Sequence, residues 1–344
     1  MTYTQQANAQ FDGALPADFQ VHFNEHLRDI GFPVHPTAEG FRAHMPEASV
    51  EMSLAETGFA VTILSSSTIH LHQTREGFLQ MLNYLFPDAV DQLDWSGEIS
   101  RNIAPPNFHL VSVASVRRIS PNFLRVTMAC ENVGALLTGG MHFSLLLPPE
   151  GRAPVWPHIN DEGRTIWAEG EDQLHRAPYT FVDLDVKAGT FSFDVFEHDG
   201  GRTTEWARHT TKGDVVAVVG PGGGTFPTGD FLLMAGDETA LPAMRRILEH
   251  SDPARRGAVF IELGDMRDKC PIAAPEGVTV TWVQRGSGDT ILDQICAAGL
   301  PETEQSHFVW FAAERDQVRR AKSHFRDTVK IERTQGYFST YWTS

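Results

Sequence analysis

From Phe231 onward, short apolar runs alternate with segments that have the periodicity of amphipathic helices. The first helical segment carries Pro242 in its first turn, where a missing N–H group does no harm. Strands that alternate with helices form a parallel sheet covered by helices, and such sheets bind ligands at the carboxyl ends of their strands. We therefore predict an α/β domain over residues 228–344. The apolar runs are Phe231–Ala235, Val259–Leu263, Val278–Val283 and Phe308–Phe311, and further helical segments are Ile291–Ala297 and Arg315–Phe325.

The preceding stretch, residues 105–227, consists of short β runs broken by turns. Several short strands with turn signals between them are typical of an antiparallel barrel or sandwich. A Pro105-Pro106 pair begins this stretch, and the glycine-rich run Gly220–Gly224 marks its end. The β runs include Leu110–Val113, Leu124–Met128, Phe143–Leu147, Phe191–Phe196 and Val215–Val219.

Residues 1–104 are predicted to form a third, α+β domain whose role the sequence leaves open. A helix with apolar residues at helical spacing comes first, followed by a hairpin around Glu56-Thr57-Gly58 and a second helix. The first hundred residues hold 13 acidic and 3 basic side chains, a net charge of −10. Uneven charge of this kind suggests separate modules. The helical positions are Phe19, Phe23, Leu27 and Ile30, then Phe78, Leu82 and Leu85, and the hairpin strands are Val50–Leu54 and Phe59–Leu64.

The net charge and the positions of the cysteines argue against several classes of binding partner and cofactor. The whole chain carries a net charge of −16, which disfavours nucleic acid as a partner. The cysteines Cys130, Cys270 and Cys296 are far apart and form no CxxC pair, which disfavours a disulfide framework, a zinc site or an iron–sulfur cluster. We find no apolar run long enough to span a bilayer and no export signal, so we expect no membrane partner and a cytoplasmic location.

Four segments in the barrel and α/β stretches carry a family resemblance. The third of them, Gly236–Ala243, has the sequence GDETALPA. It matches, letter for letter, a pattern of the siderophore-interacting proteins, also called ferric-siderophore reductases. Over residues 108–344 the chain resembles this family, whose members carry FAD on an antiparallel β-barrel followed by an α/β domain, as in ferredoxin reductases. The segments are Arg176-Ala-Pro-Tyr179-Thr180, His198-Asp-Gly200-Gly201 with Thr204-Glu-Trp206-Ala207, Gly236–Ala243, and Trp310-Phe-Ala-Ala-Glu314.

The first segment is the family's flavin motif. The resemblance implies that Arg176 binds the pyrophosphate, that Tyr179 lies against the flavin ring and that Thr180 hydrogen-bonds its reactive edge. An ordinary strand would also accommodate these three residues. Two departures stand out: Pro178 is an extra residue before the tyrosine, and Val182 replaces an arginine that the family usually has.

The second segment resembles the family's HGxxGPxSxWA run. Glycines permit a close backbone approach and threonine hydroxyls bind phosphate oxygens, so we expect this segment to bind the FAD diphosphate. A hairpin turn beside a core tryptophan is the alternative. The residues concerned are His198, Gly200, Gly201, Thr203, Thr204, Trp206 and Ala207.

The third and fourth segments follow apolar strands. The turn Gly236, Asp237, Glu238 and Thr239 would position the nicotinamide, because its two carboxylates would repel a phosphate placed beside them. The resemblance adds Glu314 and Trp342 to the cofactor-binding set. Ala313 stands where the family's WxAGE pattern has a glycine.

Two other features are weaker candidates. Arg315, Arg319, Arg320 and Lys322 form a basic run that could receive an anionic ferric chelate, although a solvated helix face is the simpler interpretation. Six histidines lie in the first hundred residues, and His22 and His26 have helical i,i+4 spacing. No HExxH pattern accompanies them, and we predict no metal site.

The sequence therefore predicts an FAD-dependent ferric-siderophore reductase. Electrons would pass from NADPH or NADH, or from a protein donor such as ferredoxin, through FAD to iron(III) held by a siderophore. The residues that would carry catalysis are not identified, and none is required as an acid or base. Two alternatives stay open: a flavin oxidoreductase of the same fold with a quinone, flavin or protein acceptor, and a non-enzymatic protein that binds iron chelate or haem through the N-terminal histidines.

Overall fold

The computed structural model describes residues 2–29, 32–224, 226–301 and 306–343. The chain divides into two compact units. The first unit comprises residues 1–108 together with residues 148–174, and the second comprises residues 109–147 and 175–344. No helix in the described ranges is long and apolar enough to cross a membrane.

The N-terminal part of the first unit is an antiparallel six-stranded sheet of order β2-β3-β4-β5-β1-β6 with helices packed on it. The predicted hairpin is present as β4 and β5, paired around Glu56-Thr57-Gly58. Phe19, Phe23 and Leu27 are buried as their spacing predicts, whereas Ile30 lies outside the described residues. The elements are β1 Gln5–Phe11, α1 Phe19–Asp29, β2 Val34–Pro36, β3 Gly40–His44, β4 Ala48–Leu54, β5 Phe59–Ser65, α2 Thr68–Leu85, α3 Pro87–Val90 and β6 Asp94–Gly97.

The second unit begins with a seven-stranded antiparallel sheet of order β12-β9-β15-β7-β8-β14-β13. Phenylalanine rings fill its interior, with Phe143 and Phe181 centred 4.6 Å apart. The first and last strands in this order, β12 and β13, are consecutive in the chain, so one stretch of backbone closes the sheet into a barrel. The elements are β7 Phe108–Ser120, β8 Phe123–Cys130, β9 His142–Leu147, β10 His158–Ile159, β11 Thr165–Ile166, β12 His175–Thr180, β13 Asp183–Asp185, β14 Thr190–Phe196, α4 Arg202–His209 and β15 Val215–Gly222.

The short hairpin β10–β11 does not belong to the barrel. It lies in residues 148–174, which leave the barrel after β9 and group with the first unit. Asp161 of this segment accepts hydrogen bonds from Arg101, at 2.8 Å to its backbone oxygen, and from Asn102, at 2.7 Å to its side chain. The sequence predicts a barrel domain of residues 105–227 that includes residues 148–174, and this three-domain division stays a prediction.

The rest of the second unit is the α/β sheet that strand–helix alternation predicted. Its five strands have the order β18-β17-β16-β19-β20, and all neighbouring pairs are parallel. The apolar strands are covered by helices, so the core lies on both faces of the sheet. The elements are β16 Phe231–Gly236, α5 Leu241–Glu249, β17 Arg256–Leu263, β18 Gly277–Gln284, α6 Ile291–Ala298, β19 His307–Glu314, α7 Arg315–Ser323 and β20 Gly336–Trp342.

A buried carboxylate ties the barrel to this sheet. Asp268, which is 2 % exposed, accepts hydrogen bonds from the Ser120 hydroxyl at 2.6 Å and from the Asn122 backbone N–H at 3.0 Å. The Asn122 side-chain amide donates to its other oxygen at 2.8 Å. Both donors belong to the turn between β7 and β8, so this carboxylate fixes the barrel turn against the loop after β17.

We predict that Asp268→Ala lowers the free energy of unfolding by about 2–4 kcal/mol, because it leaves buried donors without a charged acceptor. Urea unfolding followed by circular dichroism measures the change. Asp316→Ala is the control, since its carboxylate is 72 % exposed and forms only a surface ion pair with Arg319. Equal stability of the two variants would contradict this role of Asp268.

Candidate FAD and nicotinamide site

Strand β12 presents its two faces to different surroundings. Its register with β9 pairs Tyr179 with Phe143 of the barrel core and Thr180 with His142. Because side chains alternate along a strand, Tyr179 faces the barrel interior and Thr180 faces outward. Arg176 is an odd number of residues from Tyr179 and therefore lies on the outward face with Thr180. The structure thus does not bring Arg176 and Tyr179 together.

The inward face of β12 meets the N-terminus of α4. The Nε2 atom of His175 lies 3.3 Å from Oγ1 of Thr203, and the Tyr179 hydroxyl also bonds to Thr203. Burial raises the pKa of Tyr179. Burial, and then the positive charge of Arg202, lower the pKa of His175. The cationic Arg202 and the His175 ring, whose charged form is disfavoured, are therefore placed beside the first turn of α4.

The N-terminus of α4 is suited to an anion. Its N-cap residue is Gly201, and no side chain caps this helix end. A methyl group on Gly201 would lie 2.5 Å from the exposed His198 ring, so a larger residue here would have to displace that ring. Gly200 has a φ of +75° with open space beside it, which favours glycine. Uncapped N–H groups and the helix dipole attract negative charge, as expected for a diphosphate site.

The remaining residues of this predicted motif have internal partners. The Thr204 hydroxyl accepts a hydrogen bond from the His198 backbone N–H at 3.3 Å. Trp206 stacks on Phe193 of the barrel core, with ring centres 6.5 Å apart, and Ala207 is buried. These contacts fix α4 on the barrel and leave its N-terminal backbone as the surface that can bind an anion.

The outward face of β12 is joined to the C-terminal strand of the α/β sheet. Thr180 Oγ1 lies 3.1 Å from Nδ1 of His142, and the ring of Tyr341 on β20 meets the His142 ring edge-on at 6.3 Å. Burial, followed by the charge of Arg246, lowers the pKa of His142 to about 4. His142 is consequently neutral near pH 7, so the hydrogen-bonding partner of Thr180 carries no charge.

The predicted nicotinamide turn begins at Gly236, the last residue of β16, and its next residue, Asp237, has a buried carboxyl group. Asp237 is fully buried and accepts hydrogen bonds from Trp342 Nε1 at 2.7 Å and from the Thr239 hydroxyl at 2.5 Å. Burial raises its pKa against the effect of these hydrogen bonds, and neighbouring Glu238 raises it further. The structure therefore brings together Asp237 and Thr239 of the predicted nicotinamide turn and Trp342 of the predicted cofactor-binding set.

The carboxylate of Glu238, in the same turn, accepts hydrogen bonds from residues that directly follow the neighbouring strands β17 and β18. Its carboxylate accepts hydrogen bonds from Arg285 Nη2 at 2.5 Å and from the Gly264 backbone N–H at 2.5 Å. Arg285 Nε also donates to Glu262 at 2.8 Å. Arg285 thereby neutralises two buried carboxylates at the carboxyl ends of β16 and β17, the edge at which ligands bind in such sheets.

Glu314 and the basic run lie around α7. The Glu314 side chain caps the helix by accepting a hydrogen bond from the Asp316 N–H at 2.6 Å. Arg315, Arg319 and Lys322 have i,i+4 and i,i+3 spacings and share one face of α7, whereas Arg320 lies on another face. Arg315 is at the helix start, whereas Lys322 is about 10 Å further along the axis, away from the carboxyl edge of the sheet. All four are exposed; Arg319 pairs with Asp316 at 3.3 Å, and Arg320 lies near α6, where its charge lowers the pKa of Asp293.

Over the described ranges, no three His, Cys, Asp or Glu side chains are grouped so as to hold a metal ion. His22 and His26 have other neighbours: His22 lies 3.8 Å from Glu25, and the His26 ring is 6.1 Å from that of Tyr84.

Sequence reasoning missed three polar residues of the site, His142, His175 and Arg285. His142 and His175 are the first residues of β9 and β12, and nothing in their own segments indicates that they meet Thr180 and Thr203. Arg285 directly follows β18. A charged residue at the carboxyl end of a strand in a parallel sheet is a signal that could have found it.

The donor set of the second unit fits a flavin dinucleotide. An uncapped helix end provides N–H groups for a diphosphate, and beside it Arg202 provides positive charge while Thr203 and His175 provide hydrogen-bonding groups. Strand β12 also carries Thr180, whose hydroxyl bonds to the neutral ring of His142, and such a hydroxyl suits a neutral flavin ring. The contacts of the individual site residues with the cofactors stay predictions.

A β-barrel followed by a parallel α/β sheet defines the class: the second unit has the fold of ferredoxin-reductase-like flavoproteins. Residues 112–225 match the model of the siderophore-interacting FAD-binding domain, and residues 230–344 match that of the siderophore-interacting protein family. The chain therefore belongs, over these two consecutive domains, to the siderophore-interacting proteins, and it carries their FAD-binding domain.

Named relatives agree with this assignment. The chain is 27% identical over 241 residues to the ferric vibriobactin reductase ViuB of Vibrio cholerae, covering 68% of this chain and 88% of ViuB. It is also 27% identical over 242 residues to the NADPH-dependent ferric-chelate reductase of Escherichia coli, covering 68% and 92% of the two chains. Among solved structures, a siderophore utilization protein from T. fusca matches with a TM-score of 0.61 and 27% identity, over 72% of this chain and 96% of that one. The siderophore-interacting protein SipS from Aeromonas hydrophila matches with a TM-score of 0.57 and 26% identity, over 69% and 99%.

The raised pKa of Asp237 predicts a specific pH dependence of stability. A carboxyl group whose pKa is higher in the folded than in the unfolded protein binds more protons when folded, so its contribution to stability falls as pH rises from 3.8 through the folded value. Asp237→Asn removes this titration. We therefore expect the variant to gain stability relative to the parent as pH rises through this range. Urea unfolding at a series of pH values measures the difference, with the exposed Asp316→Asn as the control. Parallel curves for the parent and Asp237→Asn would contradict the prediction.

Proposed function

We propose that this chain is an FAD-dependent ferric-siderophore reductase that takes electrons from NADPH or NADH. The observation that carries the proposal is the unbroken pair of siderophore-interacting domain matches over residues 112–225 and 230–344. The names of the two relatives, a ferric vibriobactin reductase and an NADPH-dependent ferric-chelate reductase, support the substrate class. Ferredoxin as an alternative donor and a cytoplasmic location are parts of the same proposal.

Bound FAD would supply the redox chemistry, accepting two electrons from one nicotinamide and releasing them singly to two ferric ions. Oxygen ligands of a siderophore hold iron(III) more tightly than iron(II), so reduction loosens the metal from its chelator. The product ferrous iron is substrate-derived, and the protein needs no resident metal for this reaction.

The residues of the chain bind and orient. The α4 N-terminus would hold the diphosphate of FAD, with Arg202 contributing positive charge and His175 a hydrogen-bonding ring. Thr180 would hydrogen-bond the flavin ring from the outward face of β12. The turn at Asp237, capped by Trp342, would position the nicotinamide at the carboxyl edge of the parallel sheet.

The first test is the cofactor and the turnover. The purified protein should be yellow, its released cofactor should run as FAD on chromatography, and NADPH or NADH should reduce a panel of ferric chelates with formation of Fe(II). A colourless protein that FAD cannot reconstitute would overturn the proposal. Turnover with quinones or free flavin, and none with ferric chelates, would assign the chain to a flavin oxidoreductase with another acceptor.

We predict that Tyr179→Ala weakens FAD binding by roughly tenfold and changes the flavin absorption spectrum. Because Tyr179 faces the barrel interior, the variant acts indirectly: it loses the ring packing near Phe193 and the hydroxyl contact with Thr203 that hold the N-terminus of α4 beside β12, each worth about 0.5–1.5 kcal/mol. Fluorescence titration of the apoprotein with FAD gives the dissociation constants. Tyr84→Ala, a substitution of a 78 % exposed tyrosine in the first unit, is the control. Unchanged affinity and spectrum in Tyr179→Ala would show that Tyr179 does not position the FAD site.

A further inference from the structure

The strand pairing of the barrel brings the side chains of His142 and Thr180 together. His142 on β9 pairs with Thr180 on β12. The Phe181 N–H donates to the Met141 carbonyl at 3.0 Å, next to this pair. His142 and Thr180 are therefore a non-hydrogen-bonded pair, the arrangement in which side chains of antiparallel strands lie closest. Both face outward, because Phe143 and Phe181 point into the barrel core.

The imidazole of His142 directs its two nitrogens toward different strands. Nδ1 lies 3.1 Å from the hydroxyl oxygen of Thr180 on β12. Nε2 is directed the other way, since a methyl group on Gly224, shortly after β15, would lie 3.0 Å from it. In the order of the sheet β9 lies between β12 and β15. Nδ1 is therefore the ring nitrogen that faces β12.

The position of the ring proton follows from the surroundings of His142. Burial, and then the charge of Arg246, lower the pKa of His142 to about 4, whereas a hydrogen bond to the Tyr179 backbone opposes them. The neutral ring carries one proton near pH 7. A bond that raises the pKa of a histidine is one in which a ring N–H donates, here to the Tyr179 carbonyl. Because Tyr179 belongs to β12, the donating nitrogen is Nδ1, and His142 is the Nδ1–H tautomer.

This tautomer determines what the Thr180 hydroxyl can do. With its proton on Nδ1, His142 donates to Thr180 Oγ1. The hydroxyl hydrogen of Thr180 then points away from Nδ1 and can donate to a ligand on the outward face of β12. Thr180 is 6 % exposed, so water competes little for these hydrogen bonds. The histidine thus presents the threonine as a donor.

We propose that His142 is a positioning residue for the flavin: its Nδ1–H group holds the Thr180 hydroxyl as a hydrogen-bond donor to the reactive edge of FAD. The inference rests on the proposed function, because it takes Thr180 as a flavin contact. The reactive nitrogen of an oxidised flavin has a lone pair that accepts such a bond, whereas in a reduced flavin this nitrogen carries hydrogen. His142 thereby favours the oxidised state and lowers the reduction potential of bound FAD. A lower potential makes the reduced cofactor a stronger reductant for iron(III) that oxygen ligands hold tightly.

The test compares three substitutions of His142. His142→Leu removes the donor, so the Thr180 hydroxyl can rotate and accept from the reduced flavin. We expect the ratio of affinities for reduced and oxidised FAD to rise about tenfold, which raises the two-electron potential by about 30 mV. His142→Asn restores an amide donor near the Nδ1 position and should reverse most of this shift. His142→Gln carries its amide further out, toward the Nε2 position, and should behave like His142→Leu.

Two further variants assign the shift to Thr180. In a Thr180→Val background, His142→Leu should leave the potential unchanged, because the hydroxyl through which His142 acts is absent. The control is His22→Leu, which changes an exposed histidine of the first unit and should match the parent. Potentials are measured on the full chain by reductive titration against reference dyes, and FAD titration gives the affinity for the oxidised cofactor.

The potential separates positioning from a merely structural role, since a variant that only distorts the strand weakens the binding of oxidised and reduced FAD alike. The inference is overturned if the parent and His142→Leu have the same potential, or if the shift is as large in the Thr180→Val background. Should His142→Leu fail to fold, equal potentials of His142→Asn and His142→Gln would overturn it. A parent that binds no FAD would instead contradict the proposed function, so the two failures are distinguishable.

Discussion

A single stretch of backbone, His175–Asp185, closes the barrel, because its first part pairs with β9 and its last part with β14. Between the two parts, Phe181 enters the aromatic core, and its carbonyl accepts a hydrogen bond from the buried Arg246 of α5 at 2.7 Å. Once Phe181 points into the barrel, alternation decides the direction of every neighbouring side chain. The same constraint therefore places Tyr179 inward at the end of α4 and Thr180 outward toward His142 and β20. Both halves of the candidate site depend on this one strand.

Several buried acidic side chains lie at the carboxyl edge of the parallel sheet, and they are stabilised by different partners. Asp237 is held by Trp342 and Thr239, and burial shifts it toward its neutral form. Glu238 and Glu262 share the guanidinium of Arg285. A buried charge without such partners would cost several kcal/mol, so these pairings are a condition of the fold and also set the electrostatic character of the nicotinamide end. Trp342, which donates a hydrogen bond to Asp237, is the last residue of β20, so this strand forms part of the site.

The barrel is interrupted by a segment that belongs to another unit, and this changes how the N-terminal hundred residues are understood. As an isolated acidic α+β domain they suggested a separate module with histidines for a ligand. The structure instead uses the polar residues of α2, α3 and the following linker to fasten residues 148–174. His72 illustrates the point: burial and Arg75 lower its pKa to about 4, and its ring lies 3.4 Å from Thr165 of that segment. Such a histidine is a neutral packing residue.

The sequence by itself determined the class of fold and the family. Alternation of apolar strands and helices from Phe231 predicted the parallel sheet, short β runs predicted the barrel, and the GDETALPA run identified the relatives, because each is a local pattern along the chain. Local patterns do not report which strands become neighbours. His142, His175 and Arg285 acquired partners 38, 28 and 47 residues away only through sheet pairing and helix packing. Likewise, the one extra residue at Pro178 looks minor in the sequence, yet it puts Arg176 and Tyr179 on opposite faces of β12, since a strand has a period of two. Long-range pairing and the face on which each side chain falls were decided by the tertiary structure alone, because both depend on how the core closes around Phe143 and Phe181.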